Sequence, residues 1–210
     1  SGIVNAAQIH GLGELESNTV FVSWPQNRES LPYIIKAMHH LVPDQKSLII
    51  GKINNYFVYP EEKSTKNIVI WWGGLQKNGD LMLLLAYLIT RNQCWHDTVI
   101  QVNSITSNEL VRETKKLSLD KMIPQARINA EPNVIVKPKN KAIHEIIHEH
   151  SAWADLVLLG LGSPKEGEEE EYAQRLEKLA GDLPAVLFVK NASLFAGELL
   201  YTQDKKSNFL

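Results

Sequence analysis

The stretch Asn67-Ile68-Val69-Ile70-Trp71-Trp72 determines how the rest of the chain is interpreted. It is a continuous run of β-branched and aromatic residues, and Gly73-Gly74 close it. Neighbouring side chains of a strand point to opposite faces of a sheet, so Trp71 and Trp72 are both buried only if both faces are covered. The run therefore predicts an interior strand of a parallel sheet.

Strand and helix patterns alternate after this run. Predicted strands lie at 98–102, 133–136, 155–159 and 185–189, and predicted helices at 81–89, 108–121, 143–150 and 168–180. Asp80 is predicted to cap the first of these helices. Such alternation indicates a parallel sheet with right-handed crossovers, so residues 61–210 are predicted to form a Rossmann-like α/β unit.

Residues 18–50 show the same alternation of strand and helix patterns, with fewer elements. They contain a predicted strand at 18–24, a helix at 28–41 with Pro32 in its first turn, and a strand at 47–50. The polar, acidic composition of residues 54–66 predicts a domain boundary there, between a first unit at 1–60 and a second unit at 61–210. The first unit has too few elements to close a sheet. Either it adds strands to the second unit, or the sequence begins partway through a domain.

Composition narrows the classes of function. The chain has 210 residues, 44% of them hydrophobic, with 22 basic against 24 acidic side chains. No basic stripe with interleaved aromatic residues appears, so nucleic acid is not expected as a partner. A single cysteine, Cys94, excludes an internal disulfide framework. The longest apolar stretch, 81–89, is about half of the roughly 20 residues that a membrane-spanning helix needs, and Ser1–His10 does not have the pattern of a signal peptide. We therefore expect a water-soluble chain.

His144-Glu145-Ile146-Ile147-His148 is a literal H-E-x-x-H motif. On a helix this spacing puts two imidazoles on one face, where they can bind Zn²⁺ with the glutamate as general base. The alternative is a short amphipathic helix that buries its isoleucines and exposes His144, Glu145 and His148. A zinc protease needs a longer helix and a third ligand on a further element. We therefore expect no metal at His144, Glu145 and His148.

A glycine-rich loop over 160–167 follows a predicted strand and precedes a helix, which is where phosphate-binding loops lie. Its candidate ligand residues are Gly160, Gly162, Ser163 and Gly167. The loop matches neither G-x-x-x-x-G-K-[ST] nor G-x-G-x-x-G, and the acidic residues at 166 and 168–171 repel phosphate. A flexible turn before a self-capped helix is the preferred interpretation, and no cofactor is expected.

No catalytic residue is predicted. The sequence contains no G-x-S-x-G motif, and Cys94 and His96 are linked only by proximity in sequence. A partly buried structural cysteine is the commoner case. The chain is therefore predicted not to be an enzyme.

Three blocks of the sequence resemble one known family. The first comprises Gly11-Leu12-Gly13, Asn18-Thr19-Val20 and Trp24-Pro25. The second comprises the strand ending in Trp71-Trp72, Gly79-Asp80-Leu81 and the leucine-rich helix to Leu88. The third comprises Glu149-His150-Ser151, Ala154-Asp155-Leu156-Val157 and the strand that begins at Leu183-Pro184. In order and spacing these blocks, which extend over residues 9–201, resemble the cytoplasmic carboxy-terminal domain of the cation–chloride cotransporters.

The resemblance implies a fold of two α/β units similar to universal stress proteins, the first of them incomplete here. In the family a strand–helix stretch precedes the G-L-G block, whereas here only Ser1–His10 does. Eukaryotic relatives carry a long phosphorylated insertion where residues 129–141 are short, so a prokaryotic origin is expected and phosphoregulation is not carried over.

The function implied by the resemblance is that of a non-catalytic regulatory and dimerisation domain at the cytoplasmic face of the cell membrane. Its implied partners are a second copy and the transmembrane part of its own transporter. The apolar tail (Leu194-Phe195-Ala196 and Leu199-Leu200-Tyr201) and helix faces are the expected interface. The alternative is a nucleotide-binding or signalling module similar to universal stress proteins, with the glycine-rich loop as its site.

Overall fold

The computed structural model describes residue 3 and residues 11–12, 15–16, 18–54, 65–73, 76–125 and 128–192. Within them the strands, in chain order, are β1 (Gly11–Leu12), β2 (Leu15–Glu16), β3 (Thr19–Ser23), β4 (Ser47–Ile53), β5 (Asn67–Trp71), β6 (Val99–Thr106), β7 (Ala130–Val136), β8 (Leu156–Gly160) and β9 (Ala185–Lys190). The α-helices are α1 (Leu31–Leu41), α2 (Gln76–Thr90), α3 (Glu109–Gln125), α4 (Ile143–Glu149) and α5 (Glu169–Ala180). Short 3₁₀ turns at Arg28–Ser30 and Gln93–Trp95 precede α1 and β6.

Seven strands form one sheet in the order β3-β4-β9-β8-β5-β6-β7. Neighbouring strands are parallel except β4 and β9, which run antiparallel with Leu48 opposite Lys190. The predicted α/β class is thereby confirmed, with one antiparallel pair in a mostly parallel sheet. Strands β3 and β4, which belong to the predicted first unit, add to the sheet that the predicted second unit forms. The division at residue 60 stays a prediction, because residues 55–64 lie outside the described ranges.

The two faces of the sheet carry separate cores. One core joins α1, α4 and α5 to side chains such as Val69 and Trp71, and we call this side the closed face. The other joins α2 and α3 to Ile68, Ile70 and Trp72, and we call it the open face. Trp71 and Trp72 are 4% and 6% exposed, so both faces are covered at β5 as predicted.

Close contacts fix the two tryptophans. Trp71 Nε1 donates a hydrogen bond to Ser151 Oγ at 2.9 Å, which satisfies a buried donor on the closed face. On the open face the Trp72 ring lies against Gly79, where an added Cβ would stand 2.2 Å from a ring carbon. Helix α2 therefore approaches β5 closely only because residue 79 has no side chain.

The predicted cap of α2 is wrong. The helix begins at Gln76, so Asp80 lies inside its first turns instead of preceding them. Neither carboxylate oxygen of Asp80 has a hydrogen-bond partner, and burial raises the pKa of Asp80 to about 6. The pattern missed this start because Asn78 and Gly79 are poor helix formers. Tertiary contacts of these two residues hold the first turn in place.

Strands β6 and β7 are longer than predicted. Strand β6 continues to Thr106 through Asn103 and Ser104, which are polar but 0% and 1% exposed. Ser104 Oγ donates to the Trp72 carbonyl at 2.9 Å. Strand β7 begins at Ala130 and contains Pro132, which an outer strand of a sheet tolerates.

Candidate functional site

The glycine-rich loop leaves the sheet where the strand order reverses. Strand β5 is followed along the chain by β6 and β7 on one side, whereas β8 and β9 lie on its other side. Strand β8 ends at Gly160, and the loop runs on to Glu168, directly before α5. In open α/β sheets ligands bind outside the carboxyl ends of the strands at such a reversal. The structure therefore places the predicted candidate loop at the expected position for a ligand site.

The amide groups of this loop are already engaged by the chain itself. Gly162 N donates to the hydroxyl oxygen of Tyr172 at 2.7 Å, and Lys165 N donates to Glu168 Oε2 at 3.1 Å. Gly167 N donates to Glu169 Oε2 at 2.9 Å. A bound phosphate accepts hydrogen bonds from backbone amides of this kind. In this loop the Tyr172 hydroxyl and the carboxylates of Glu168 and Glu169 accept the hydrogen bonds that a phosphate would otherwise accept.

The charges around the loop also favour these hydrogen bonds within the chain. The pKa of Glu169 is lowered by hydrogen bonds from its own amide and that of Gly167, and by His39 and Lys36 nearby. His39 Nε2 lies 3.3 Å from Glu169 Oε1, so the helices α1 and α5 approach each other closely at this point. The pKa of Tyr172 is raised because burial disfavours its anion. A phosphate entering here would have to displace an ionised carboxylate.

Lys190 is a cation at the mouth of the loop. Its Nζ donates to Ser163 Oγ at 2.6 Å, and partial burial lowers the pKa of Lys190. Ser163 and Gly160 are both candidate phosphate-binding residues from the sequence, but their neighbours in the structure differ. Ser163 contacts a cation, whereas Gly160 is backed by Asn78, whose Nδ2 would lie 3.3 Å from an added Cβ.

A buried polar network fills the space behind the loop. Asn78 Nδ2 donates to the Leu161 carbonyl at 2.7 Å, and Asn78 Oδ1 accepts from Asn191 N at 2.9 Å. Asn191 Nδ2 donates to the Lys77 carbonyl at 2.7 Å, and Asn191 Oδ1 accepts from Ser47 Oγ at 3.2 Å. Asn78 and Ser47 are 3% and 1% exposed. The network ties the carboxyl ends of β8 and β9 to α2 and to the start of β4.

Residues of the H-E-x-x-H motif have individual structural contacts. His148 Nε2 lies 3.0 Å from the Leu179 carbonyl, and its ring lies over Gly181. Glu145 Oε2 accepts from Ala142 N at 2.6 Å, which caps α4. His144 and His148 keep a ring separation of 6.2 Å in an edge-on arrangement. Within the described residues no group of three His, Cys, Asp or Glu side chains could hold a metal ion.

The network residues were not singled out by the sequence. Asn78 and Asn191 lie 113 residues apart, and neither belongs to a recognised motif. Tyr172 is an aromatic residue on a helix, which a sequence pattern assigns to the core. One sequence signal could have indicated Asn191. It directly follows a predicted buried strand, and the carboxyl ends of parallel strands are where polar site residues gather.

No helix among the described residues is long and apolar enough to cross a membrane. The chain matches the family described as Solute carrier family 12 over residues 25–144. It is 28% identical to Potassium/chloride cotransporter 3 of Caenorhabditis elegans over 124 residues, which cover 58% of this chain and 11% of that protein. Cation-chloride cotransporter 1 of Oryza sativa subsp. japonica is 26% identical over 140 residues, or 64% of this chain and 14% of the relative. The chain therefore spans less than a sixth of the length of these relatives.

Two solved structures share the fold. The cytoplasmic domain of a prokaryotic cation chloride cotransporter superposes with a TM-score of 0.63 at 17% identity, over 90% of this chain and 70% of that one. A universal stress protein from Archaeoglobus fulgidus superposes with a TM-score of 0.53 at 11% identity, over 90% of this chain and 64% of that one. Both likenesses confirm the predicted architecture. Because the family model matches more than half of the chain, and the relatives are cation–chloride cotransporters as the sequence blocks predicted, this protein belongs to solute carrier family 12.

Proposed function

We propose that this chain is a non-catalytic cytoplasmic domain of a cation–chloride cotransporter, which pairs with a second copy and regulates the transmembrane part. Family membership supports the transporter context, and the solved cytoplasmic domain of similar fold supports the location. The observation that carries the pairing is the composition of α2. From Leu81 to Ile89 this helix is built of apolar residues, and two of them are exposed although the helix lies on the sheet.

The outward side of α2 includes Leu84, Tyr87 and Leu88. Their spacing of three and four residues places them on one side of a helix, opposite the buried Met82 and Ala86. Leu88 is 56% exposed, and the adjoining Tyr87 is 40% exposed. Adjoining exposed apolar side chains of this kind are typical of a surface that another protein covers. A two-fold partner brings the same row from its own copy, so each leucine contributes twice.

Sedimentation equilibrium of the purified chain at tens of micromolar tests the pairing. We expect twice the chain mass of 23.7 kDa, and a Leu88→Asp variant should sediment as a monomer because the charge enters the interface twice. Leu110→Asp on α3 is the matched control, because Leu110 is 84% exposed and lies on another helix. A mass of 23.7 kDa for the unchanged chain would contradict pairing of the isolated domain.

The regulatory role is tested in the intact transporter. Deleting this domain should change the transport rate or the assembly, while the selectivity among ions stays the same, because the ion path lies elsewhere. Ion flux measured before and after deletion decides this. A changed selectivity would count against the proposal.

Nucleotide binding is the second candidate function, favoured by the position of the loop and by the likeness to a universal stress protein. Its loop amides are engaged by Tyr172, Glu168 and Glu169, and these carboxylates repel phosphate. Calorimetric titration with ATP should therefore detect no binding tighter than about millimolar. A micromolar dissociation constant would make nucleotide binding the better assignment.

A further inference from the structure

The first turns of helix α3 expose a row of apolar side chains. Asn108 Oδ1 accepts a hydrogen bond from Val111 N at 3.0 Å, which caps the start of the helix. Leu110 is 84% exposed and Leu117 is 60% exposed. Their spacing of seven residues places both on one side of the helix, opposite the buried Leu119. The two leucines therefore protrude from the molecule and add nothing to its core.

A basic turn lies beside the start of α3. Lys137 N donates to the Thr106 carbonyl at 2.8 Å, so the chain leaving β7 is bonded to the last residue of β6. Helix α3 begins three residues after Thr106. The turn that starts with Lys137 also contains Lys139 and Lys141, both exposed. Three lysines and the protruding row therefore lie at the same edge of the sheet, where β6 and β7 end.

Residues 108–117 and 137–143 together form what we call the α3–β7 corner. The corner has six basic and two acidic side chains, although the whole chain has 22 basic against 24 acidic ones. One of its cations, Arg112, lies 2.6 Å from Glu109, and Lys141 pairs with a carboxylate of α4. None of the ion pairs among the described residues involves the remaining cations, which are Lys115, Lys116, Lys137 and Lys139. The corner therefore joins an excess of positive charge to exposed apolar side chains.

The composition of the α3–β7 corner fits a lipid surface better than a protein surface. Interfaces between proteins are depleted in lysine and enriched in aromatic residues. The corner contains five lysines and no aromatic residue. On membrane-binding surfaces, by contrast, apolar side chains enter the boundary between headgroups and acyl chains, and lysines attract anionic headgroups.

We propose that the α3–β7 corner rests on anionic phospholipid, with Leu110 and Leu117 among the headgroups and the lysines against their negative charges. The presence of a membrane beside this chain rests on the proposed function. The pairing through α2 uses another part of the molecule, because Leu88 lies near the end of α2, shortly before the start of β6. That position is at the amino edge of the strands, whereas the corner is at their carboxyl edge. One chain can therefore make both contacts.

Co-sedimentation of the full chain with lipid vesicles tests the proposal. The vesicles contain phosphatidylcholine alone, or phosphatidylcholine with about 30% phosphatidylserine to supply a negative surface. We expect partition onto the anionic vesicles to be about tenfold higher or more, and to fall as the salt concentration rises, because salt screens the attraction. Equal partition onto both kinds of vesicle, or no binding to either, would overturn the proposal.

Point variants locate the contact. Lys139→Glu should lower partition onto anionic vesicles about tenfold, and Leu110→Asp should lower it by a similar factor because a charge replaces an apolar contact. The matched controls are Lys178→Glu on α5, with the same change of net charge, and Tyr33→Asp on α1, where Tyr33 is 72% exposed. Both controls should keep the partition of the unchanged chain. Equal losses for Lys139→Glu and Lys178→Glu would show that only net charge matters, and would contradict a contact at this corner.

A second measurement needs no variant. Hydrogen–deuterium exchange of the unchanged chain with anionic vesicles should become slower in residues 109–117 and 137–143, while β4 and α5 keep their rates. Slower exchange confined to another surface would overturn the proposal. Sedimentation without vesicles reports the pairing, and deletion of the domain from the transporter reports the regulatory role. A failure of either therefore differs from a failure of lipid binding.

Discussion

The two faces of the sheet differ in how completely they are covered. The closed face carries α1, α4 and α5, and its core extends from β3 to β5. The open face carries only α2 and α3 among the described helices, and it leaves Phe21 and Ile53 accessible at the edge. Polar side chains on the closed face, such as His148 and Ser151, are held by hydrogen bonds. Among the described residues, the closed face is therefore covered at β3 and β4, whereas the open face leaves Phe21 and Ile53 exposed on the same two strands.

The difference also changes what a recognisable motif means. His148 belongs to a metal-like motif, yet on the closed face it supports the turn between α5 and β9. Helix α2 on the open face contains no such motif, yet it exposes the apolar side chains of Tyr87 and Leu88. A sequence motif shows only which residue types occur together. An exposed apolar surface in the folded chain indicates a possible contact with another molecule.

Gly181→Ala should produce the largest loss of stability and tests how rigid the closed face is. Gly181 has φ of 39°, and an added Cβ would lie 2.3 Å from the His148 ring. That ring is bonded to the Leu179 carbonyl, so it does not move without losing the contact. We expect a decrease in the free energy of unfolding of about 2–4 kcal/mol, measured by urea denaturation.

Gly73→Ala is the matched control, because no atom lies within 4 Å of the added Cβ and it should change stability by less than about 0.5 kcal/mol. In a His148→Ala background the collision is removed, so Gly181→Ala should cost about 1–2 kcal/mol less. Equal losses in both backgrounds would show that backbone strain alone is responsible.

Gly79→Ala makes the corresponding test on the open face, with a smaller expected effect. In an exposed helix the substitution would stabilise by about 1 kcal/mol through helix propensity. Here the added Cβ meets the Trp72 ring at 2.2 Å, so we expect a net loss of about 1–3 kcal/mol. Urea denaturation with tryptophan fluorescence measures both the stability and the displacement of the ring. A stabilised variant would show that α2 can move away from the sheet.

Local patterns predicted most of the secondary structure. The β-branched run at β5 and the helical spacings of α1, α3, α4 and α5 all appear within a few residues of the predicted positions. The antiparallel pairing of β4 with β9 was not accessible to the same reasoning. It joins Leu48 to Lys190, and no local property of either strand records the direction of its partner.

The candidate loop lies between a strand and a helix as predicted, but the hydrogen bonds that Tyr172 and Asn78 make with it were not predicted. Gly162 meets Tyr172 ten residues later, and Asn78 meets Leu161 across 83 residues. Contacts of this kind depend on how α2 and α5 lie on the sheet. Polar strand residues were missed for a related reason, because Asn103 and Ser104 resemble loop residues until the neighbouring strands bury them.

Asp80→Asn should produce the smallest effect and shows whether the open face tolerates a charge. The folded pKa of Asp80 is about 6 against an ordinary 3.8, because burial disfavours the carboxylate. At low pH both folded and unfolded chains carry the proton, so Asp80 costs nothing. As the pH rises from about 4 to about 6 the unfolded state loses its proton first, and stability is lost.

The shift corresponds to at most about 3 kcal/mol, and partial exposure to solvent reduces this to about 1–2 kcal/mol. Asp80→Asn should therefore raise the free energy of unfolding by about that amount at pH near 7.5 and by much less at pH near 4.5. Urea denaturation at the two pH values measures the difference, with Asp120→Asn on the exposed side of α3 as the control. A gain that is equal at both pH values would mean that the substitution acts through packing, and that the uncovered side of the sheet accommodates the ionised carboxylate without cost.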